Sequence, residues 1–206
     1  MREGASAQQE NSMNKVILAS GSPRRKLLLE NYGFDVTVVK PDFDESTILE
    51  NDAALLVTAL ARAKNRCVSQ TSSCYEFPVI AADTVVCLDN QILGKPSDRT
   101  QAYNMLSMLS GATHTVFTGV CISFEKRQTV FCEKTDVSFY KLSKTQIYRY
   151  IDSGSPFDKA GGYGIQDDMG IAFIESIKGE LSNVIGLPMA RTVSEIKKIQ
   201  GDKNET

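Results

Sequence analysis

"FPVIAADTVVCL", residues 77–88, is the stretch on which the fold turns. It is a nearly continuous run of apolar and strand-forming residues, the pattern of a central strand covered on both faces. Upstream, "LASGSPRRKLLLENYG" (18–33) begins as a strand and ends as a helix. Val16 to Ala19 is short and apolar like a buried strand. Ser22 is a suitable N-cap, Pro23 suits the first helical position and Gly33 fits a left-handed stop. "FDVTVVK" (34–40) alternates like a second strand and leads into the acidic loop "PDFDEST" (41–47). "DAALLVTALARAKNRCV" (52–68) reads as a helix capped at Asn51 or Asp52, with an apolar stripe through Leu56, Leu60, Ala63 and Cys67.

Downstream of the central run, "DNQ" turns the chain into "ILGKP" (92–96), and Ser97 or Asp98 caps a helix carrying Ala102, Met105, Leu106 and Leu109 that Gly111 stops. "HTVFTGVCISF" (114–124) and "QTVFCEKTDVSFYKL" (128–142) flank a polar "EKR" turn, a hairpin signal. Ser143 caps a helix ending near Gly154. The loop "SPFDKAGGYGIQDD" leads to a strand "IAFIESI", and the last helix includes "PMARTVSEIKKI". Strand–helix units at the start and an antiparallel hairpin in the middle predict an α/β fold with a mixed sheet. No linker interrupts the chain, which reads as a single domain over residues 14–200. A polar extension at 1–13, expected to be disordered, and a polar tail at 201–206 flank it.

Composition narrows the functional classes. At 206 residues the chain is long enough for one domain with a sizeable core. A net charge of −2 gives no bulk attraction to nucleic-acid polymers or membrane surfaces, so any phosphate binding must be local. No apolar run approaches membrane-spanning length. The five cysteines, Cys67, Cys74, Cys87, Cys121 and Cys132, are odd in number and form no Cys-x-x-Cys, and His114 is the single histidine. That argues against a zinc site and a disulfide framework, and for a reducing, cytoplasmic compartment. His114 lies in an alternating strand, where a structural role is expected. A Ser-His or Cys-His nucleophile therefore has no good base.

Arg24 and Arg25 fall in the first turn of a helix, where free N–H groups and the helix dipole already disfavour cations. Gathering N–H groups and guanidinium groups together suits an anion such as phosphate. Ser-Pro-Arg-Arg also fits a plain basic patch or a phosphorylation site, and the glycine spacing matches neither a Walker loop nor Gly-x-Gly-x-x-Gly. Asp83 interrupts the apolar central run. Either it is a buried carboxylate that needs a cation, a metal or several donors, or the strand ends at Ala82 and Asp83 faces solvent. Asp42, Asp44 and Glu45 offer the oxygen ligands that hard divalent cations prefer, although most acidic loops are simply solvated. Lys64 lies beside the stripe of its helix, which permits a snorkelling surface role. Lys95 is held between Gly94 and Pro96. Gly161, Gly162 and Gly164 permit unusual backbone angles or close approach to a ligand, and Gln166 closes that run with an amide able to read a base edge.

Together these stretches resemble the Maf, or septum-formation-inhibitor-like, nucleotide pyrophosphatases. "LASGSPRRKLLL", "DFDES", "ARAK", "AADTVV", "GKP", "LSG", "TDVSF", "DKAGGYGIQ" and the later "GLP" occur in family order over about residues 14–198. The resemblance implies hydrolysis of a nucleoside triphosphate between the α and β phosphates, a divalent metal cofactor (Mg²⁺ or Mn²⁺), and an elongated α/β fold with a central cleft like that of inosine-triphosphate pyrophosphatases. It implies substrate-binding roles for Ser20, Ser22, Arg24, Arg25, Thr84 and Gln166. Asp83 would be the catalytic carboxylate, Glu45 and Asp83 would hold metal, and Lys64 and Lys95 would contact the phosphate chain. "AADTVV", "GKP" and "GGYGIQ" look like the branch acting on dTTP and UTP, sometimes CTP and modified uridine triphosphates. Thr84 and Gln166 carry that preference. The competing readings are a 7-methyl-GTP or general non-standard-nucleotide pyrophosphatase, and a non-catalytic nucleotide-binding regulator of division. A homodimer is plausible from the family alone.

Overall fold

A computed structural model describes residues 14–70 and 76–201. The expected extension at 1–13, most of the polar tail and Cys74 lie outside the described residues. Seven strands form one mixed sheet: β1 (Lys15–Leu18), β2 (Asp35–Val38), β3 (Val79–Leu88), β4 (Gln91–Leu93), β5 (Thr113–Phe124), β6 (Arg127–Phe139) and β7 (Ile174–Lys178). Their order is β2-β1-β3-β5-β6-β7, with β4 also paired to β3. β1 is parallel to β2 and β3, while β3–β5, β5–β6, β6–β7 and β3–β4 are antiparallel. The helices are α1 (Pro23–Asn31), α2 (Ala53–Ser69), α3 (Arg99–Leu109), α4 (Lys144–Asp152), α5 (Leu181–Ile185) and α6 (Met189–Gln200).

The expected punctuation is present in detail. Ser22, Asp52, Asp98 and Ser143 cap α1 to α4 with their side chains, and Ser143 and Gln146 complete a capping box. Of the paired alternatives, Asp52 and Asp98 are therefore the caps. The tight turn after β3 puts Asp89 and Asn90 at positive φ, and Glu125 does the same between β5 and β6.

One edge of β3 explains where a cleft can open. β5 pairs with β3 continuously from Val79 to Cys87. Along the other edge, β1 reaches only Val79 and Ile80, and β4 only Val86 to Leu88. The stretch 81–85 between them therefore has no strand neighbour on that side. β1 and β4 approach this gap from opposite ends and then leave the sheet. The residues that follow each of them, Ser20 to Arg25 and Gly94 to Lys95, converge on it.

Side-chain alternation along β3 does the rest. Odd residues Val79, Ala81 and Val85 pack on the α2 side, with Val68 and with Ala53 and Val57 respectively. Even residues split into two cores on the opposite face. Ile80 and Ala82 join Val120, Leu187 and Ile196, while Val86 and Leu88 join Leu106, Val116 and Phe139. Thr84 and its cross-strand partner Thr118 sit between these cores, so a polar seam divides the apolar interior at the level of the gap.

Two expectations need correction. The stripe Leu56–Leu60–Ala63–Cys67 is not the buried face of α2: the buried residues are Ala53, Val57, Leu60, Ala61, Lys64, Asn65 and Val68. The face is rotated because Lys64 and Asn65 turn inward, Asn65 to bond the Val79 and Cys121 carbonyls and Lys64 to meet acids. A pattern read from apolar residues alone cannot register polar residues that are buried and paired. The strand expected at 171–177 starts only at Ile174, since Ile171–Phe173 form a 3₁₀ turn. The short helix α5, ahead of the last one, was not anticipated. Among the described residues no helix is long and apolar enough to cross a membrane.

Candidate active site

The converging loops enclose a cleft of about 520 Å³. Its chemistry starts at Asp83. The strand does not end at Ala82: Asp83 lies mid-β3, is only 9% exposed and faces α2. Directly across the ladder stands Gly119. A Cβ at Gly119 would lie 2.3 Å from the Val57 carbonyl oxygen, so only glycine allows the α2 backbone to rest on the sheet there. About two turns further along α2, Lys64 reaches Asp83, its Nζ 2.5 Å from Oδ1. The same ammonium lies 2.8 Å from Oε1 of Glu45, which begins a short 3₁₀ turn capped by Asp44. Lys64 is 7% exposed, so the snorkelling role is excluded: burial of its charge is balanced by two carboxylates.

On the opposite wall, Arg25 is held at three nitrogens. Nε donates to the Gly186 carbonyl at 2.8 Å, Nη1 to Ser20 Oγ at 3.0 Å and Nη2 to Thr84 Oγ1 at 3.1 Å. Burial lowers its guanidinium pKa below the ordinary value, with Asp83 opposing and Arg24 adding to the shift. Ser20 also accepts from the Ser22 backbone, and Ser22 Oγ caps α1, so both serines shape the turn that presents the arginines. No acidic residue sits in the first turn of α1 to neutralise them.

Arg24 reaches across the cleft. Nη1 donates to Asp158 Oδ2 at 2.7 Å and Nη2 to the Asp158 carbonyl at 3.1 Å. Lys159 Nζ holds the other carboxylate oxygen at 2.7 Å. Partial burial opposes ionisation of Asp158, but Lys159 and Arg24 outweigh it and hold its carboxyl below the usual range. The loop bearing these residues is pegged at two tyrosines. Tyr150 Oη donates to Asp167 and accepts from the Gly164 N–H, and Tyr163 Oη meets His114 Nε2 at 2.7 Å. Gly161 has φ +68 and its absent side chain faces Val86, the close approach expected of that loop.

Lys95 and Gln166 also line the cleft, both exposed, and among the described residues neither side chain has a hydrogen-bond partner. The ten residues to which the resemblance assigns roles thus line one cleft: Ser20, Ser22, Arg24, Arg25, Glu45, Lys64, Asp83, Thr84, Lys95 and Gln166. Asp42 and Asp44 are exposed and do not line it. The stretches that hold Asp158, Lys159, Tyr163 and Gly186 were among the motifs read from the sequence, but these four residues were given no role there. An Asp-Lys pair ahead of the glycines was the available signal for the first two; nothing local marked Gly186 as the arginine's acceptor. His114 is a core residue, as expected, with burial lowering its pKa to about 4. Burial likewise raises the thiols of Cys121 and Cys132 to about 12 and about 11, which leaves them poor nucleophiles.

Fold and cleft together define an α/β protein with cations from four segments turned on one space, and a lysine-bridged carboxylate pair beside it. Comparison with known sequences places it further. The sequence model for the family described as Maf-like protein matches residues 15–199, and the chain belongs to that family. It is 46% identical to a dTTP/UTP pyrophosphatase of Agathobacter rectalis, over 92% of this chain and 100% of that one. It is 42% identical to a dTTP/UTP pyrophosphatase of Bacillus cereus, over 92% and 98%. A solved nucleoside-triphosphatase, the dITP/XTP pyrophosphatase of Mycobacterium abscessus, aligns over 90% of this chain and 94% of that one at TM-score 0.43 and 12% identity.

Proposed function

We propose that this protein hydrolyses dTTP and UTP to the monophosphate and pyrophosphate. The observation that carries it is Lys64 bridging Asp83 and Glu45 opposite Arg24 and Arg25 in one cleft. The names of relatives at 42–46% identity over nearly the whole chain supply the substrates.

A triphosphate chain entering this cleft meets positive charge from both walls. Arg25 is already oriented by three acceptors and has N–H groups to spare. Arg24 exchanges the Asp158 carboxylate for phosphate oxygens, and Lys95 is free to join it. Preorganised cations of this kind stabilise charge developing on the phosphoryl oxygens. Asp83 orients and deprotonates the attacking water, with Lys64 holding its carboxylate in place. Gln166 stands at the rim with donors and an acceptor for a base edge.

The carboxylate pair also fits a divalent cation. Glu45 and Asp83 already share one cation, the Lys64 ammonium, and two carboxylate oxygens completed by water and substrate phosphate are the habit of Mg²⁺ and Mn²⁺ sites. Among the described residues no group of three acids, histidines or cysteines offers an all-protein cage. When bound, such an ion supplies Lewis acidity at the phosphoryl oxygens and acidifies a water.

The test is product analysis with dTTP, UTP, CTP, GTP, ATP and 7-methyl-GTP, each with Mg²⁺ or Mn²⁺. Monophosphate plus pyrophosphate from dTTP and UTP is expected. Turnover of 7-methyl-GTP alone overturns the substrate choice, diphosphate plus orthophosphate overturns the bond cleaved, and no turnover with either metal overturns the enzyme.

A further inference from the structure

We infer that His114 is a positioning residue of the cleft: through its bond to Tyr163 it fixes the backbone that presents Lys95 and Gln166 to a ligand. The inference rests on the proposal that this cleft binds a nucleoside triphosphate.

Lys95 and Gln166 line the cleft without a hydrogen-bond partner among the described residues, so their placement depends on the backbone beneath them. One loop governs both. Gln166 lies at its end. The Gly161 N–H donates to the Gly94 carbonyl at 2.9 Å, and Gly162 lies against the Pro96 ring, where an added Cβ would stand 3.5 Å from Cγ. The loop therefore grips the chain on both sides of Lys95. Asp158 and Lys159, by contrast, have ion pairs of their own.

Within residues 161–164 the only side chain is that of Tyr163. It is 5% exposed, and its hydroxyl meets His114 Nε2 at 2.7 Å. The Phe139 ring packs edge-on against both, its centroid 4.7 Å from that of Tyr163 and 5.0 Å from that of His114. Tyr150 holds the same loop through the Gly164 N–H, so loss of the His114 bond loosens the loop without freeing it.

Proton counting gives the bond its direction and shows how little it adds to stability. Burial lowers the imidazole pKa to about 4, so near pH 7 the ring is neutral, with one N–H and one lone pair. Among the described residues Nδ1 has no partner, and Tyr163 Oη has only the imidazole. Were Nε2 the donor, both the phenol proton and the Nδ1 lone pair would be stranded. Tyr163 therefore donates to Nε2, and the Nδ1 N–H alone is left unpaired. Replacing both members of such a half-satisfied pair with apolar groups of similar shape is neutral or favourable. What the pair supplies is direction, a fixed placement of the loop against β5.

The double variant H114L/Y163F separates position from stability. Melting temperature, calorimetric binding of dTTP and of inorganic tripolyphosphate, and kcat and KM for dTTP are measured on it, wild type, Y163F and H114Q. It is expected to melt at or above the wild-type temperature yet bind dTTP about tenfold more weakly, the reach of a coupling carried through packed residues. KM rises more than kcat falls, since Asp83 and Lys64 stand on β3 and α2, outside the loop. Tripolyphosphate, which has no base for Gln166, weakens less than dTTP. H114Q, whose amide oxygen can take the Tyr163 proton, keeps most of the affinity. Y163F shows the same weakening and takes the place of the double variant should that fail to fold. Added to K95A/Q166A, H114L/Y163F leaves kcat/KM where it was. Wild-type affinity in the double variant, affinity lost only in step with melting temperature, or a full further loss on K95A/Q166A overturns the inference. H114Q as weak as H114L/Y163F overturns the hydrogen bond as the pin. Wild type that binds neither ligand overturns the triphosphate cleft itself. The expected pattern without any turnover supports the inference and removes only the hydrolase.

Discussion

Lys64 and Asp83, 19 residues apart, meet at 2.5 Å where α2 lies over the uncovered edge of β3. Their side chains are 8% and 12% exposed, so each neutralises a charge the interior would otherwise exclude. Removing one partner strands the other. K64M is expected to lose about 3 kcal/mol of stability in urea melts, with part recovered in K64M/D83N. D83N alone should keep nucleotide binding and lose at least about a hundredfold in turnover. Undiminished hydrolysis by D83N would remove Asp83 from the chemistry.

His114 makes stability sensitive to mild acid. The folded chain takes up its imidazole proton only near pH 4, whereas the unfolded chain does so near the ordinary 6.5. Between those values the unfolded state binds more protons, so stability is intact above pH 6.5 and is lost as pH falls towards 4. The amount at stake is about 3 kcal/mol. Urea midpoints from pH 7 to pH 4 should fall steeply for wild type and much less for H114Q. Parallel curves for the two proteins would rule out the buried imidazole as the cause.

Asp158 occupies the Arg24 guanidinium that a ligand phosphate would have to engage. The pair spans the cleft but sits at its solvent edge, the aspartate side chain 62% exposed, so its own contribution to stability is below about 1 kcal/mol. D158N should therefore melt within a few degrees of wild type while binding tripolyphosphate several-fold more tightly. Weaker binding would mean that the carboxylate orders Arg24 for the ligand instead of competing with it.

The Asp83–Gly119 pairing predicts a remote effect on the cleft. G119A places a methyl group inside the α2 backbone at Val57 and Thr58, where no side chain can move aside. Lifting the helix carries Lys64 away from Asp83. Loss of about 3 kcal/mol or more is expected, together with a drop in activity larger than the fraction unfolded explains. A stable, fully active G119A would show that α2 shifts freely on the sheet.

Much of this was legible in the sequence, for identifiable reasons. Caps, turns and the hairpin are local, so Ser22, Ser143 and Gly161 could be read one by one. The cleft residues were legible because charges such as Arg24, Arg25 and Asp83 stand out in apolar or cation-averse surroundings. What escaped was long-range. The inward turn of Lys64 depends on Asp83 and Glu45, the acceptor for Arg25 lies at Gly186, and the ladder register that sets Gly119 against Asp83 leaves no mark on either segment. The start of β7 was misplaced because Phe173 is apolar enough for a strand, yet packs into the core from a 3₁₀ turn.

The bond between Arg25 and the Gly186 carbonyl joins the first helix to a turn 161 residues later. Chains are made from the N-terminus, and early segments begin to fold while later ones are still being added. The arginine is available almost from the outset, but the carbonyl that aims it is among the last parts delivered. A nascent or prematurely terminated chain lacking α5 would carry every charged residue of the cleft and yet hold Arg25 through Ser20 and Thr84 alone. The full orientation of Arg25 is thus a property of the nearly finished polypeptide.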